Sequence, residues 1–526
     1  VEAQGGNDDQ DLDNQWQLLA EDYYRDLITA VTGSGDILGA VQYGATKYAF
    51  RSDGSNTVMY KSSASGWTAV TFFHLLRFDS GVTGADADLV PGATIDGQSS
   101  GATATIKSIV QNAGAWDGTA AGYMVVDVTS GTFQDAENIR VGGVNKCVAD
   151  GANSAITLSP GGKFQFVEHN YYGSSDTSYL YGCDGVNFAW EFDGEVLTPI
   201  LFPGSTNPSY NTPKYIEAHT THLFLSFPGG RLAHSSLGTP LVFSGLMAAA
   251  AFGLGAECTG LESRAGQVLA IYTQDGKTYG LYGTDVTNWD MKVISESFGG
   301  KDYTVRSLGT VFAIDDQGIV PLERVQAYGD FEGATVSRSV RPILDQYSDS
   351  IVQAFTAKDR NQYRVAFSDG TILVMSDDRA VGGSNYAFST LQYPDIPTCF
   401  SDNSDESGNQ VILFGDSSGF VYQAEKGYTF DGDELESVCK LAFIHANSPS
   451  NEKRWHKVYT NIEAEWPIST MKIKWETNYA TPHKPIFAGV TPDIKGGGGY
   501  FDVDNFDQIY FDAEQFSSAY NRLSGR

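Results

Sequence analysis

LAIYTQDGKTYGLYG (269–283) consists of an apolar strand, a tight turn at Asp275-Gly276 and a second strand. The same arrangement recurs at intervals of roughly 40–50 residues. The other instances are LYGCDGVNFAWEF (180–192), LFLSFPGGRLAHS (223–235), GTVFAIDDQGIVPL (309–322), YRVAFSDGTILVMS (363–376), VILFGDSSGFVYQA (411–424) and, before them all, YAFRSDGSNTVMYKSSASGWTAV (48–70). The Asp-Gly pairs supply the positive φ that tight hairpins require. We therefore predict a mainly β fold, a β-propeller with six or seven blades.

The character of the chain changes around this repeat. Trp16 to Val31 has apolar residues at three- and four-residue spacing, which predicts an amphipathic helix. A stretch rich in small residues with short alternating strands follows the first hairpin and predicts a small β-domain inserted in the first blade. The predicted divisions are an N-terminal arm and helix (1–35), a first blade (36–77), the inserted β-domain (78–160), the remaining blades (161–436) and a C-terminal β-domain with a docking tail (437–526).

Composition narrows the function. The 526 residues hold 64 acidic and 34 basic side chains, a net charge of −30. This charge disfavours binding to nucleic acid through phosphate contacts, although it is compatible with a channel that DNA passes without adhering. Five scattered cysteines, without a C-x-x-C pair, indicate buried thiols rather than a disulfide framework. The most apolar stretch, SGLMAAAAFGLGA (244–256), is too short to span a bilayer, so we expect no membrane span.

Three groups of residues are candidate binding sites. Asp8, Asp9, Asp11 and Asp13 partly resemble a calcium loop but lack its glycine and its final glutamate. His219 and His222 are three residues apart, with His234 downstream; on one strand such residues point to opposite faces, so we expect packing roles rather than a metal site. KRWHK (453–457) is a basic run that suits either a solvated loop or contact with an acidic partner.

No catalytic motif stands out. The chain has no G-x-S-x-G, no H-E-x-x-H and no P-loop. SASGWTAV (63–70) and GTDVTNWD (283–290) only partly match the Asp-box turn of sialidase propellers. We therefore predict a protein that is not an enzyme, with no catalytic, cofactor-binding or metal-binding residues and no cofactor.

The amino-acid sequences of several strands resemble those of structural proteins of tailed bacteriophages, most closely the tail nozzle, or packaged-DNA stabilisation protein, of short-tailed phages. The likeness covers most of residues 36–476. The segments that show this resemblance are YAFRSDGSNTVMYKSSASGWTAV (48–70), SSGATATI (99–106), GTFQDAENIRVGG (131–143), NFAWEFDG (187–194), HTTHLFLSFPGG (219–230) and NQYRVAFSDG (361–370).

The resemblance implies a propeller subunit that assembles into a ring, commonly a hexamer, at the lower end of the phage tail. Such a ring surrounds a channel that retains the packaged genome and lets double-stranded DNA leave on infection. It docks on a tail adaptor or tail-tube protein and meets tail fibres or a tip plug. The implied location is the virion, after assembly in the host cytoplasm. The family role transfers no catalytic residue.

Two other functions stay open. The first is a receptor- or glycan-binding propeller at the tail tip, with Trp67, Trp190 or Trp289 as stacking platforms. The second is a propeller glycosidase or depolymerase, in which an unidentified pair of carboxylates would act on host polysaccharide.

Overall fold

A computed structural model describes the chain from Leu27 to Asp433, apart from 65, 174–177, 203–210, 246–248, 265–267, 323–334, 378–385 and 428. Outside that stretch it describes Ala20, Tyr23, Arg25, Leu435, 437–438 and four short strands near the C-terminus. The chain divides into two compact units. One comprises Leu27–Phe430, and the other comprises Val1–Asp26 with Asp431–Arg526.

The larger unit is a seven-bladed β-propeller, as the repeated hairpins predicted, with a separate sheet after the first blade. Blade 1 contains β1 (Ser34–Tyr43), β2 (Thr46–Ser52), β3 (Thr57–Ser63) and β4 (Gly66–Ala69). The separate sheet contains β5 (His74–Gly81), β6 (Thr94–Gly97), β7 (Thr103–Ala113), β8 (Ala120–Ser130), β9 (Asn138–Val141), β10 (Val144–Ala149) and β11 (Ser154–Ala155). Blade 2 contains β12 (Gln165–His169), β13 (Tyr179–Cys183), β14 (Trp190–Phe192) and β15 (Leu197–Pro199). Blade 3 contains β16 (Tyr215–His219), β17 (His222–Phe227), β18 (Arg231–His234) and β19 (Ala250–Gly253).

The remaining blades follow without another inserted sheet in the described stretch. Blade 4 contains β20 (Cys258–Arg264), β21 (Val268–Thr273), β22 (Thr278–Tyr282) and β23 (Asp290–Ser295). Blade 5 contains β24 (Arg306–Leu308), β25 (Thr310–Asp315) and β26 (Gly318–Pro321), and helix α1 (Arg341–Tyr347) follows it. Blade 6 contains β27 (Ile351–Ala357), β28 (Gln362–Phe367), β29 (Thr371–Asp377) and β30 (Tyr386–Gln392). Blade 7 contains β31 (Pro397–Ser404), β32 (Gln410–Asp416) and β33 (Val421–Gln423).

Every hairpin quoted from the sequence contains the second and third strands of one blade, and the segment 48–70 also includes the fourth strand of blade 1. These strands read clearly because a central strand is covered by the neighbouring blades on both faces, as β21 is, with all six residues buried. The turn glycines have the positive φ that the Asp-Gly pairs predicted: 80° at Gly185, 81° at Gly276 and 84° at Gly370.

The inserted sheet is a closed antiparallel barrel. Its strands pair in the order β5, β8, β7, β6, β9 and β10, and β10 returns to pair with β5. A separate apolar core fills it, including Leu76, Ile106, Met124 and Phe133. The insertion point differs from the expectation: blade 1 is complete at Ala69, and the barrel connects blades 1 and 2 rather than interrupting blade 1. The first barrel strand, β5, lies partly in the predicted blade because its apolar alternation resembles that of a blade strand.

The propeller ring closes where blade 1 meets blade 7. In the described strands these two blades share no sheet, so side chains and single hydrogen bonds join them. Thr398 Oγ1 donates to the carbonyl of Ile37 (2.7 Å), and the Val31 N–H donates to Gly419 O (2.8 Å). The buried Arg51 guanidinium donates to the carbonyls of Val31, Gly35 and Ser418. These groups form the closure seam.

The smaller unit is described only in part. Ala20, Tyr23 and Arg25 are helical, but the chain leaves the helix by Leu27, so the predicted helix ends earlier than Val31. Val31 instead lies buried in the closure seam, which explains its apolar character. The described C-terminal strands form two antiparallel pairs. One pairs β34 (Tyr459–Thr460) with β37 (Leu523–Ser524), and the other pairs β35 (Ile473–Trp475) with β36 (Phe487–Val490).

Candidate functional site: the central channel

The first strands of the blades surround a central channel. It contains a cavity of about 830 Å³, lined by side chains and backbone from blades 2 to 7. Aromatic residues at the starts of these strands form part of the lining, including Phe164, Tyr215 and Tyr303. Polar and charged side chains line the rest, among them Glu168, Glu217, Glu262, Arg306, Lys358 and Asp402.

The channel carboxylates bridge neighbouring blades. Glu217 on blade 3 accepts a hydrogen bond from the backbone of Ser263 on blade 4, and Glu262 accepts one from Ser307 on blade 5. Asp402 on blade 7 accepts from the N–H and the hydroxyl of Thr356 on blade 6 (3.0 and 2.6 Å). At three points around the ring, an acidic side chain thus accepts a hydrogen bond from the inner strand of an adjacent blade.

Burial in the channel disfavours the ionised form of two of these carboxyl groups, Glu217 and Glu262. Burial, with the nearby Glu262 carboxylate, raises the pKa of Glu217 well above its usual range. Burial also raises the pKa of Glu262 to about 7, against the opposing effect of Arg306. Each of these two carboxyl groups therefore favours its neutral form more than a carboxyl group in water does.

Two basic side chains cross the channel between blades that are not neighbours. Arg306 Nη2 on blade 5 donates to Gln165 Oε1 on blade 2 (3.2 Å). Lys163, directly before β12 of blade 2, donates from Nζ to the carbonyl of Val352 on blade 6 (2.7 Å). Burial lowers the pKa of Lys163 to about 8. The channel is therefore so narrow that a single side chain spans it.

The histidines considered in the sequence are brought together, contrary to the prediction of opposite faces. His219 and His222 flank a two-residue turn at Thr220 and Thr221, both with positive φ, and are directly paired across β16 and β17. Residues that are directly paired across a hairpin lie on the same face of the sheet. The predicted opposite faces assumed one continuous strand, whereas a turn separates the two histidines. The packing role itself is as predicted: His219, His222 and His234 are buried. Among the described residues, no group of three or more His, Cys, Asp or Glu side chains is arranged to hold a metal ion.

The three tryptophans considered as sugar platforms pack against protein. Trp190 is fully buried and stacks on Phe50 with ring centroids 5.6 Å apart. Trp67 packs against the apolar cluster shared by blades 1 and 7. Trp289 packs into the core of blades 3 and 4. These contacts favour a structural role for each tryptophan over stacking on a glycan.

The other sequence features have mixed outcomes. Cys147, Cys183, Cys258 and Cys399 are free and buried, as predicted. Asp8–Asp13, KRWHK (453–457), Cys439 and the docking tail, apart from the strand Leu523–Ser524, lie outside the described residues. None of the helices in the described part is long and apolar enough to cross a bilayer.

The channel residues were missed in the sequence. Their strands are short and mix polar with apolar residues, as in QFVEH (165–169) and YIEAH (215–219), so they lack the apolar runs that mark the central strands. The usable signal was position: each lies just before a recognised hairpin, where a propeller must place its innermost strand.

Comparisons with known proteins give no functional relative. No protein-family model matches the chain, and no curated protein sequence matches it. The chain is similar to solved propeller-like structures at 11–12% identity. They include BBS1N in complex with ARL6DN (11% identity, 56% of this chain and 86% of that chain, TM-score 0.35), Sqt1 from Chaetomium thermophilum (12%, 75% and 96%, TM-score 0.39) and BamB from Moraxella catarrhalis (12%, 75% and 96%, TM-score 0.31). Likenesses at this level carry no functional information.

Proposed function

We propose that this chain is a structural protein of a bacteriophage tail, a subunit of a ring-forming nozzle. The resemblance implies six copies in the ring. The ring retains the packaged genome and lets it leave on infection. The subunit is not an enzyme. It binds a tail adaptor or tail-tube protein on one side and tail fibres or a tip plug on the other, and it is assembled in the host cytoplasm.

The observation that carries the proposal is the resemblance between residues 36–476 and tail nozzle proteins. The segments that show the resemblance lie both in the propeller and in the inserted barrel. YAFRSDGSNTVMYKSSASGWTAV (48–70) covers β2 to β4 of blade 1, whereas SSGATATI (99–106) and GTFQDAENIRVGG (131–143) lie in the barrel. A likeness confined to generic propeller hairpins would not extend to an inserted barrel.

The narrow channel supports a particular form of this proposal. The major groove of B-DNA alone is about 12 Å wide. A channel that the Arg306–Gln165 hydrogen bond crosses at 3.2 Å does not admit a duplex. The conduit for DNA is therefore formed between copies of the chain, around the axis of the ring, and each propeller serves as a wall element.

The charge of the chain suits such a wall. A net charge of −30 repels phosphates, so a duplex in the lumen would stay centred and slide without adhering. Neutralising contacts would hold DNA instead and would oppose its exit.

Virion fractionation tests the proposal. Purified virions would be separated into capsids and tails, and the chain located by mass spectrometry and by gold-labelled antibody. We expect it in the tail fraction, with label at the end far from the capsid. Its absence from virions, or its presence only in the capsid shell, would overturn the proposal.

A further inference from the structure

A buried cluster of imidazoles surrounds Trp289 where blade 4 meets blade 3. His219, His222 and His234 lie on the first three strands of blade 3 and are each at most 1% exposed. Trp289 directly precedes β23, the outer strand of blade 4. Its ring centroid lies 6.0, 5.5 and 5.8 Å from those of His219, His222 and His234, and the last two imidazoles are 5.0 Å apart.

The hydrogen bonds fix which tautomer two of the neutral imidazoles adopt. His222 Nδ1 and His234 Nδ1 both contact the carbonyl oxygen of Ser235, at 2.7 and 2.8 Å. A carbonyl only accepts, so each Nδ1 carries the hydrogen and each Nε2 keeps a lone pair. His219 Nδ1 contacts Ser263 Oγ of blade 4 (2.8 Å). The Nε2 atoms of all three histidines are buried without a partner in the described structure.

Protonation would disrupt this arrangement. A proton added at Nε2 of His234 would place a charged N–H where no acceptor lies within hydrogen-bond distance, beside the His222 ring at 5.0 Å. Asp285, on the exposed loop before Trp289, is an acidic group close enough for His222 to contribute to its lowered pKa, after the larger effect of hydrogen bonds from Thr287. Other charged residues on the strands that pack here are Glu217, Arg231, Glu262, Arg264, Asp290 and Lys292.

We propose that the three histidines and Trp289 form an acid-sensitive latch between blades 3 and 4. At neutral pH the neutral imidazoles hold the indole and keep the two blades together. In acid the protonated cluster expels Trp289, and the loop from Gly283 to Trp289 separates from blade 3. This latch does not depend on the proposed nozzle function.

The direction of the effect follows from linkage. Burial, and the nearby His222, lower the pKa of His219 to about 4, and burial also lowers the pKa of His234. A free histidine titrates near 6.5. The open form therefore takes up protons that the closed form refuses, so the latch weakens as pH falls from about 6.5 towards 4.

Fluorescence of Trp289 provides the test in the full-length protein. The chain has eight tryptophans, so the signal of Trp289 is taken as the difference between the wild type and Trp289→Phe. We expect a reversible red shift of this signal between pH 6.5 and 4, preceding any loss of far-ultraviolet circular dichroism. His234→Gln should move the midpoint down by roughly half a pH unit, and the triple glutamine variant should lose the transition.

His74→Gln is the control, because His74 lies in the barrel, away from the cluster. Its transition should match the wild type. A Trp289 signal that stays constant to pH 4, that changes only with global unfolding, or that is unaltered in His234→Gln would overturn the latch. If the triple variant does not fold, His219→Gln and His234→Gln decide the question separately.

Discussion

The barrel and the propeller both close a β-structure on itself, but they do so in different ways. The barrel closes through backbone hydrogen bonds between β5 and β10, within one continuous stretch of chain. The propeller closes without a shared sheet, through side-chain contacts and single hydrogen bonds between groups as distant as Thr398 and Ile37, which are 361 residues apart. Backbone closure is local and leaves no open edge, whereas the seam depends on a few residues brought together from both ends of the ring.

Excising the barrel tests this independence most severely. Ile156 N donates to Phe73 O (3.0 Å), so a short glycine linker can join these positions in place of 74–155. The propeller should remain folded but lose roughly 4–6 kcal/mol of stability, because Val110 and Tyr123 pack into the core shared by blades 2 and 3, and Val125 packs into the core shared by blades 1 and 2. Urea unfolding followed by circular dichroism measures this loss. A chain without cooperative unfolding would show that the ring cannot close alone.

Arg51→Ala attacks the seam. It removes a buried guanidinium that satisfies three carbonyls, and the expected loss is about 3 kcal/mol in the propeller. Arg341→Ala is the matched control, because its guanidinium also bonds two carbonyls and Asp345 but lies on the surface. Its loss should stay below about 1 kcal/mol. Equal losses in denaturant unfolding would mean that the seam is not a weak point.

Glu137→Ala attacks the barrel instead. Burial alone would raise the pKa of Glu137, but hydrogen bonds from Gln134, Ser100 and Ser99 lower it overall. Ionised Glu137 therefore stabilises the folded barrel by about 2 kcal/mol. This stabilisation is present above the usual glutamate pKa and is lost as the pH falls through the lower pKa that Glu137 has in the folded state. Hydrogen exchange in barrel peptides should accelerate while that of blade peptides stays unchanged. Glu195→Ala, an exposed carboxylate, is the control.

Gly415→Ala is the mildest test. A Cβ at Gly415 would lie 2.4 Å from Ile37 across the seam, so the blades must separate slightly, at roughly 1–2 kcal/mol. Gly253→Ala on β19 meets nothing within 4 Å and should have little effect. Thermal unfolding of both variants makes the comparison, and indistinguishable midpoints would show that blades 1 and 7 are loosely packed.

The features that could be predicted from the sequence are those set by neighbouring residues, namely the central hairpins and their turns. Central hairpins were visible because both faces are buried and because Asp-Gly turns need a positive φ, as at Gly276. The insert was visible from its change in composition. Its attachment between blades was not, because β5 has the same alternation as a blade strand.

The site could not be predicted in the same way. Arg306 and Gln165 meet only because the ring brings blades 2 and 5 to face each other across the channel. His219 and His222 share a face because a two-residue turn reverses the chain between them, which spacing alone does not reveal. Both facts depend on register and ring closure rather than on residue type.

Electron cryomicroscopy of isolated tails is the most direct test of the proposed nozzle function. We expect a ring of propellers at the far end of the tail, with a lumen on the ring axis wide enough for duplex DNA. Each propeller's own channel should lie away from that axis. A single propeller centred on the tail axis, or copies attached only at the periphery, would contradict it.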